Sequence, residues 1–217
     1  MVLLFLGPPG SGKDTQAQIL DQHSGFDVIS TGDLIRKEMT TGSEIGMKLK
    51  EYYDKGLWTP DDLTYKVLQN NLAVEKERNV ILTGAVRRLE QIPMLDTALE
   101  HLGMKLDRVI NFDLPEDKIV ERVSGRRFCP VDNMTYHIKY NPPKVEGICD
   151  KDGTVLVARE LDRADLVRKR YEEHKKNAQP ILDKYKERGI LVNIDATPGI
   201  PEITARLKEV LQLESAT

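Results

Sequence analysis

The stretch Gly7-Pro8-Pro9-Gly10-Ser11-Gly12-Lys13-Asp14-Thr15 carries the clearest chemistry in the chain. Its glycines let successive backbone N–H groups turn inward around phosphate oxygens, and its lysine is a mobile point charge for β- and γ-phosphates. The general motif has Ser or Thr after the lysine. Here that residue is Asp14, and Thr15 follows with a hydroxyl of its own. A second set of residues points the same way. Arg87, Arg122, Arg126, Arg159 and Arg170 recur near element ends in a chain that is acidic overall. Arginines collected in this way suit a polyphosphate, which each can grip through two parallel hydrogen bonds. A third set is Cys129-x2-Asp132 and Cys149-x2-Asp152, spaced as two zinc knuckles. Carboxylate is the less usual structural zinc ligand. A polar hydrogen-bonded segment with two reduced thiols is the rival reading, and Asp150 is a competing ligand.

These residues need elements to hold them. Residues 1–6 are apolar and read as a buried strand, and residues 16–22 read as a helix. Strand, glycine loop and helix form the setting that a phosphate-binding loop requires, with the helix N-terminus adding partial positive charge. Four more short apolar runs, at 27–30, 80–82, 108–113 and 191–195, read as strands separated by helical patterns. This alternation predicts an α/β fold: a parallel sheet covered by helices on both faces. Nucleotides bind such sheets beyond the carboxyl ends of the strands.

Thr31 suits a helix N-cap after the second strand, and Arg36 falls on the first turns of that helix. A small helical insertion follows, punctuated by Gly42, Gly46 and Gly56, and ends near Leu57-Trp58-Thr59-Pro60. Trp58 alone reads as an ordinary core or surface aromatic. Arg87 stands at the carboxyl end of the third strand. Pro115 takes the first position of a helix that runs to residue 124. Residues 128–161 have little helical period and read as a small β-rich flap. A long charged helix covers residues 164–188, with Pro180 inside as a candidate kink. A last helix starts at Pro201.

The 217 residues suffice for one α/β domain with insertions. A net charge of −3 gives no reason to expect nucleic acid or an anionic membrane as partner. Two cysteines make no disulfide framework. The apolar start is too short to span a membrane and lacks a basic segment before it. The reading is a cytoplasmic monomer.

Together, GPPGSGKDTQ from Gly7, STGDLIR from Ser30, RVSGRR from Arg122, TYHIKYNPPKVEG from Thr135 and VRKRYEEH from Val167 resemble adenylate kinase of the long-lid form. The resemblance covers nearly the whole chain. It implies a P-loop core (residues 1–29, 60–124 and 163–217), an AMP-binding insertion (30–59) and a lid (125–162). The implied reaction is ATP + AMP to two ADP with Mg2+. Gly10, Ser11, Gly12, Lys13, Asp14 and Thr15 would hold the donor phosphates. Thr135, Tyr136 and the backbone near Pro198 would lie by the ATP adenine. Thr31, Arg36, Leu57, Trp58, Thr59, Gly84, Ala85, Val86, Arg87 and Gln91 would hold AMP. Arg122, Arg126, Arg159 and Arg170 would gather charge around the transferring group. The distance from Asp132 to Cys149 also fits lids of this family that hold zinc.

The chain departs from the family in three places. The third strand ends in Thr83-Gly84-Ala85-Val86-Arg87, where the family reads Asp-Gly-Phe-Pro-Arg. Thr83 offers a neutral oxygen where the family carboxylate orients magnesium, so reduced turnover is expected. The lost Phe-Pro pair removes apolar surface near AMP. Arg159-Glu160-Leu161-Asp162 replaces Arg-x-Asp-Asp, and Asp14 brings negative charge to the phosphate loop. Two rival readings stay open: a CMP or UMP kinase of the same fold, against which Thr31 speaks, and a nucleotide-binding protein with little catalysis.

Overall fold

The computed structural model describes residues 1–55, 57, 59–74, 78–132 and 134–213. In chain order its elements are β1 (Val2–Leu6), α1 (Lys13–Ser24), β2 (Phe26–Ser30), α2 (Thr31–Glu38), α3 (Glu44–Asp54), α4 (Asp61–Leu72), β3 (Asn79–Thr83), α5 (Gln91–Glu100), β4 (Arg108–Asp113), α6 (Glu116–Ser124), β5 (Arg126–Phe128), β6 (Thr135–His137), α7 (Ala164–Glu187), β7 (Leu191–Asp195) and α8 (Ile200–Leu211). A 3-10 turn, Glu160–Asp162, precedes α7.

The main sheet is parallel, in the order β2-β3-β1-β4-β7. β1 lies at its centre because all five of its residues are apolar and buried. Such a strand can satisfy both faces only between two helical layers. Leu4 packs with Leu68, Leu95 and Tyr185 on one face. Leu3 and Phe5 pack with Leu20, Ile119 and Leu207 on the other. Leu3, Leu4 and Phe5 are 0% exposed, and each such side chain contributes about 1.5–3 kcal/mol relative to exposure. The Phe5 and Phe112 rings meet edge to face at 5.1 Å and tie the ends of β1 and β4 together beneath the glycine loop. Gln16, buried in α1, is fully used: it donates to the Ile200 carbonyl (3.0 Å) and accepts from the Thr204 hydroxyl (2.8 Å), joining α1 to α8.

The five expected strands are present, each within a residue or two of its expected bounds. Two helix starts differ from expectation. Ser30, not Thr31, caps α2, its hydroxyl accepting from the Asp33 N–H at 3.3 Å. Pro115 is the cap before α6, with extended backbone at ψ 151°, and not the first helical residue. A proline cannot donate, so either position costs no hydrogen bond. Between α6 and α7, β5 and β6 form a small antiparallel pair, extended by bridges Phe128↔Val157, His137↔Asn141 and Ile148↔Val155. This piece has its own small core of Cys129, Tyr136, Cys149 and Leu156.

Candidate active site

The phosphate loop is built from backbone that only glycine tolerates. Gly7, Gly10 and Gly12 have φ of +143°, +90° and +90°. A Cβ on Gly10 would also lie 2.5 Å from Val123 Cγ2 of α6. Gly12 precedes α1 in left-handed geometry and gives no side-chain cap. The first N–H groups of α1 therefore face the loop as an anion-binding end. Ser11 is 0% exposed and its hydroxyl has no partner among the described residues. Lys13 Nζ lies 3.3 Å from Asp14 Oδ2.

Two cavities open along the carboxyl edge of the sheet. One, about 470 Å³, has Gly7, Pro9 and Lys13 on one wall and Arg170, His174 and Asn177 of α7 on the other. The second, about 380 Å³, is walled by Thr31, Gly32 and Arg36 of α2, by Tyr53, Leu57 and Thr59, and by Ala85, Arg88 and Gln91. Gly84, Arg87 and Asn177 line both. The cavities thus meet at the end of β3. Val86 lines the first and Ala85 the second.

The turn after β3 is held by side chains from elsewhere. Gln91 Oε1 accepts from the backbone N–H of Arg87 (2.7 Å) and of Arg88 (3.1 Å), while Gln91 Nε2 donates to Asp61 Oδ1 at 2.7 Å. Arg88 Nη2 donates to the other Asp61 oxygen at 2.6 Å. Tyr65, buried behind the turn, donates to the carbonyls of Ala85 and Gln91. Burial holds its phenol well above the usual range. Arg87 reaches the surface of the cleft, yet the walls crowd it. That desolvation, with Arg36 nearby, lowers its pKa, and Asp14 opposes the shift. The guanidinium remains charged at neutral pH. The direction records chiefly the loss of solvent around its charge, and only then the nearby Arg36; an anionic ligand offsets both.

Apart from Arg170, the remaining arginines of the expected clamp stand away from the cavities. Arg126, Arg159 and Arg122 line neither cavity. Desolvation lowers the Arg126 pKa, as do Arg159 and Arg170, against the pull of Asp162 and Asp14. Arg159 lies over the Phe128 ring at 4.6 Å. Arg170 faces Asp162 at 3.8 Å. Arg122 Nη2 donates to the carbonyls of Thr197 (3.4 Å) and Pro198 (3.2 Å), so it fixes the Pro198 loop. Thr135 is exposed on β6. The Tyr136 side chain is buried in the small β-rich piece, its hydroxyl 3.5 Å from Cys149 Sγ, so it presents no ring face to a base. Trp58 and Gly56 lie outside the described residues. So does the side chain of Leu161.

Sequence reading missed Asp61, Tyr65, His174 and Asn177. The last two had a signal: with Arg170 and Ile181 they recur at helical spacing along one face of α7. Burial, then Lys13, holds the His174 pKa below the ordinary imidazole value. Asp61 and Tyr65 had none, since their partners lie 20–30 residues away.

Cys129, Asp132, Cys149 and Asp152 come together, with one ligand atom from each within 4.8 Å of the others. Cys129 Sγ is 3.4 Å from an Asp152 oxygen, and Cys149 Sγ is 4.0 Å from Asp132 Oδ2. A tetrahedral zinc with these ligands needs ligand separations of roughly 3.3–3.8 Å, close to what is present. Burial pushes the Cys129 thiol up, so a thiolate there needs a cation. Asp150 is engaged elsewhere: Oδ1 accepts from the Lys144 N–H at 2.8 Å.

A phosphate loop at the head of a parallel sheet, with two cavities meeting at one arginine, defines a P-loop protein shaped for two anionic ligands at once. A family model described as Adenylate kinase matches residues 5–190. The chain is 42% identical over 213 residues to Adenylate kinase of Caldicellulosiruptor bescii, covering 98% of each chain. It is 40% identical to Adenylate kinase of Archaeoglobus fulgidus over 98% of both, and 41% identical to that of Thermococcus kodakarensis over 97% of this chain and 94% of the relative. The chain belongs to the adenylate kinase family.

Proposed function

We propose that this protein transfers the γ-phosphoryl group of ATP to AMP, giving two ADP. The observation that carries the reading is the meeting of the two cavities at Gly84 and Arg87. ATP fits the Lys13 side and AMP the Arg36 side, which brings both phosphate ends to Arg87. Phosphoryl transfer asks for alignment and charge neutralisation more than covalent chemistry from the protein. Lys13, Arg87 and Arg170 line the cavity where that charge develops. Arg126 and Arg159 belong to the proposed lid, residues 125–162, and reach the phosphates only when it closes and excludes water. Residues 30–59 form the proposed AMP-binding insertion. Magnesium, when bound with ATP, adds positive charge at the β- and γ-phosphates. The fit of the chain to it rests on the orphaned Ser11 hydroxyl and on Asp14 in the phosphate loop.

Competing AMP, CMP, UMP and GMP under one ADP-formation assay tests the acceptor. AMP should give the highest kcat/KM. A faster rate with CMP or UMP contradicts the assignment, and no turnover with any acceptor favours a binding protein. The proposal extends to a cytoplasmic monomer, which light scattering and cell fractionation test. Among the described residues no helix is long and apolar enough to cross a membrane.

We also infer a structural zinc in the lid, from the convergence of Cys129, Asp132, Cys149 and Asp152. Protein purified without chelator should hold about one zinc per chain, as one four-ligand site requires. A metal-free preparation whose stability is unchanged by added zinc contradicts it.

A further inference from the structure

His174 is a half-buried imidazole that phosphoryl transfer, as described so far, leaves unused. Arg170, His174, Asn177 and Ile181 follow at helical spacing and all line the Lys13-side cavity, so one face of α7 forms its wall. Ile181 is 3% exposed and packs into the core beneath the sheet edge. That contact fixes how α7 is rotated and keeps the imidazole in the cavity wall. Lys13 stands at the start of α1, Arg87 follows β3, and Arg170 lies one turn away on α7 itself. From β4 only the uncharged Asn111 reaches this cavity, and Glu173 is the one carboxylate among the described residues lining it. Three cations against one carboxylate make an empty cavity a poor place for a further positive charge. Burial first, and then Lys13, accordingly favours the neutral ring. A fourth permanent cation here would repel the other three. A histidine avoids that repulsion while the cavity is empty and can still supply charge when an anion arrives.

Resting on the ATP reading above, we propose that His174 is a further phosphate-binding residue, whose imidazole is neutral in the empty cavity, takes up a proton as the ATP phosphates arrive and then faces them as a cation. The proton comes from solvent, and no bond in the nucleotide changes. Lys13, Arg87 and Arg170 differ from it in carrying their charge permanently at neutral pH. ATP binding is then linked to pH. The complex holds one proton more than the free chain, so His174 makes affinity rise as pH falls from the midpoint of the complex to that of the free chain. Outside that window its contribution is level.

The test is a proton NMR titration of the imidazole Cε1–H resonances. It is run on the chain alone, with saturating ATP and with saturating adenosine, all in excess Mg2+ and without AMP so that no transfer occurs. The His174 resonance is the one missing from His174→Gln, or from His174→Asn if the glutamine variant does not fold. His23 and His101 line neither nucleotide cavity and serve as references. ATP should raise the His174 midpoint by at least about one pH unit, the low end for an opposite charge brought close, and adenosine should leave it in place. Calorimetry should show ATP affinity rising about tenfold across such a window. The variant should lose that rise and keep only the slope that the nucleotide's own phosphates give. If ATP binds and leaves the midpoint unchanged or lowers it, or if adenosine raises it as much, the proposal fails and the ATP reading stands. The same pH dependence of ATP affinity in wild type and variant also overturns it. If the wild-type chain binds no ATP at any pH, the ATP reading falls and this proposal with it.

Discussion

On the Lys13 side the cavity floor is backbone, whereas on the Arg36 side the wall is a turn pinned by side chains. The phosphate loop needs its glycines because Gly7, Gly10 and Gly12 hold φ values closed to other residues and because Val123 leaves Gly10 no room for a Cβ. The turn at residues 84–88 hangs instead on Gln91, Asp61 and Tyr65. One site is fixed by local geometry, the other by contacts between distant residues. The two fail differently when mutated, and they differ in how far sequence alone reveals them.

The largest expected effect is on the Lys13 side. Lys13→Met leaves the glycine geometry intact and removes the central charge. It should lower kcat by roughly 10²–10³, the range for losing one preorganised electrostatic group, with the fold unaltered by circular dichroism. Gln91→Leu attacks the other side at similar side-chain volume. It leaves the Arg87 and Arg88 N–H groups without their acceptor and removes one of the two donors that Asp61 accepts from, Arg88 remaining. A turn displaced by an ångström can cost up to about 10²-fold in kcat/KM, and steady-state kinetics should show KM for AMP rising more than KM for ATP. A KM for ATP that rises as much would mean that Gln91 supports both cavities.

Smaller effects fall outside the two cavities. With zinc present, Cys129→Ser should lower stability by about 3–4 kcal/mol if wild-type zinc is held at one hundred to one thousand times its dissociation constant. With zinc chelated, wild type and variant should differ little, and thermal unfolding in both conditions checks this. Thr83→Asp should change turnover least. It puts a carboxylate where a neutral hydroxyl stands and should raise kcat by about tenfold or more, on the scale of one preorganised electrostatic group, and an unchanged kcat and Mg2+ dependence would show that another group already orients the metal.

The same contrast explains what the sequence disclosed. The glycine loop is local, so residues 7–15 name its conformation and its ligand together. The strands were legible because β1 and its neighbours are short apolar runs buried on both faces. The convergence of Cys129, Asp132, Cys149 and Asp152 was legible as two identical short spacings. The pinning of the 84–88 turn was not, since Tyr65 in mid-helix looks like any core aromatic. Ser30 displaced Thr31 as cap because both side chains can cap, and the strand's exit angle selects one.

The central claim is that both nucleotides meet at Arg87. It is tested most directly by titrating ATP and AMP separately, by calorimetry, into wild type and Arg87→Ala. Because Arg87 lines both cavities, both affinities should fall, each by at least about tenfold for a lost charge-assisted clamp on phosphate. If only one nucleotide loses affinity, or neither does, the cavities do not share this residue and the account is wrong.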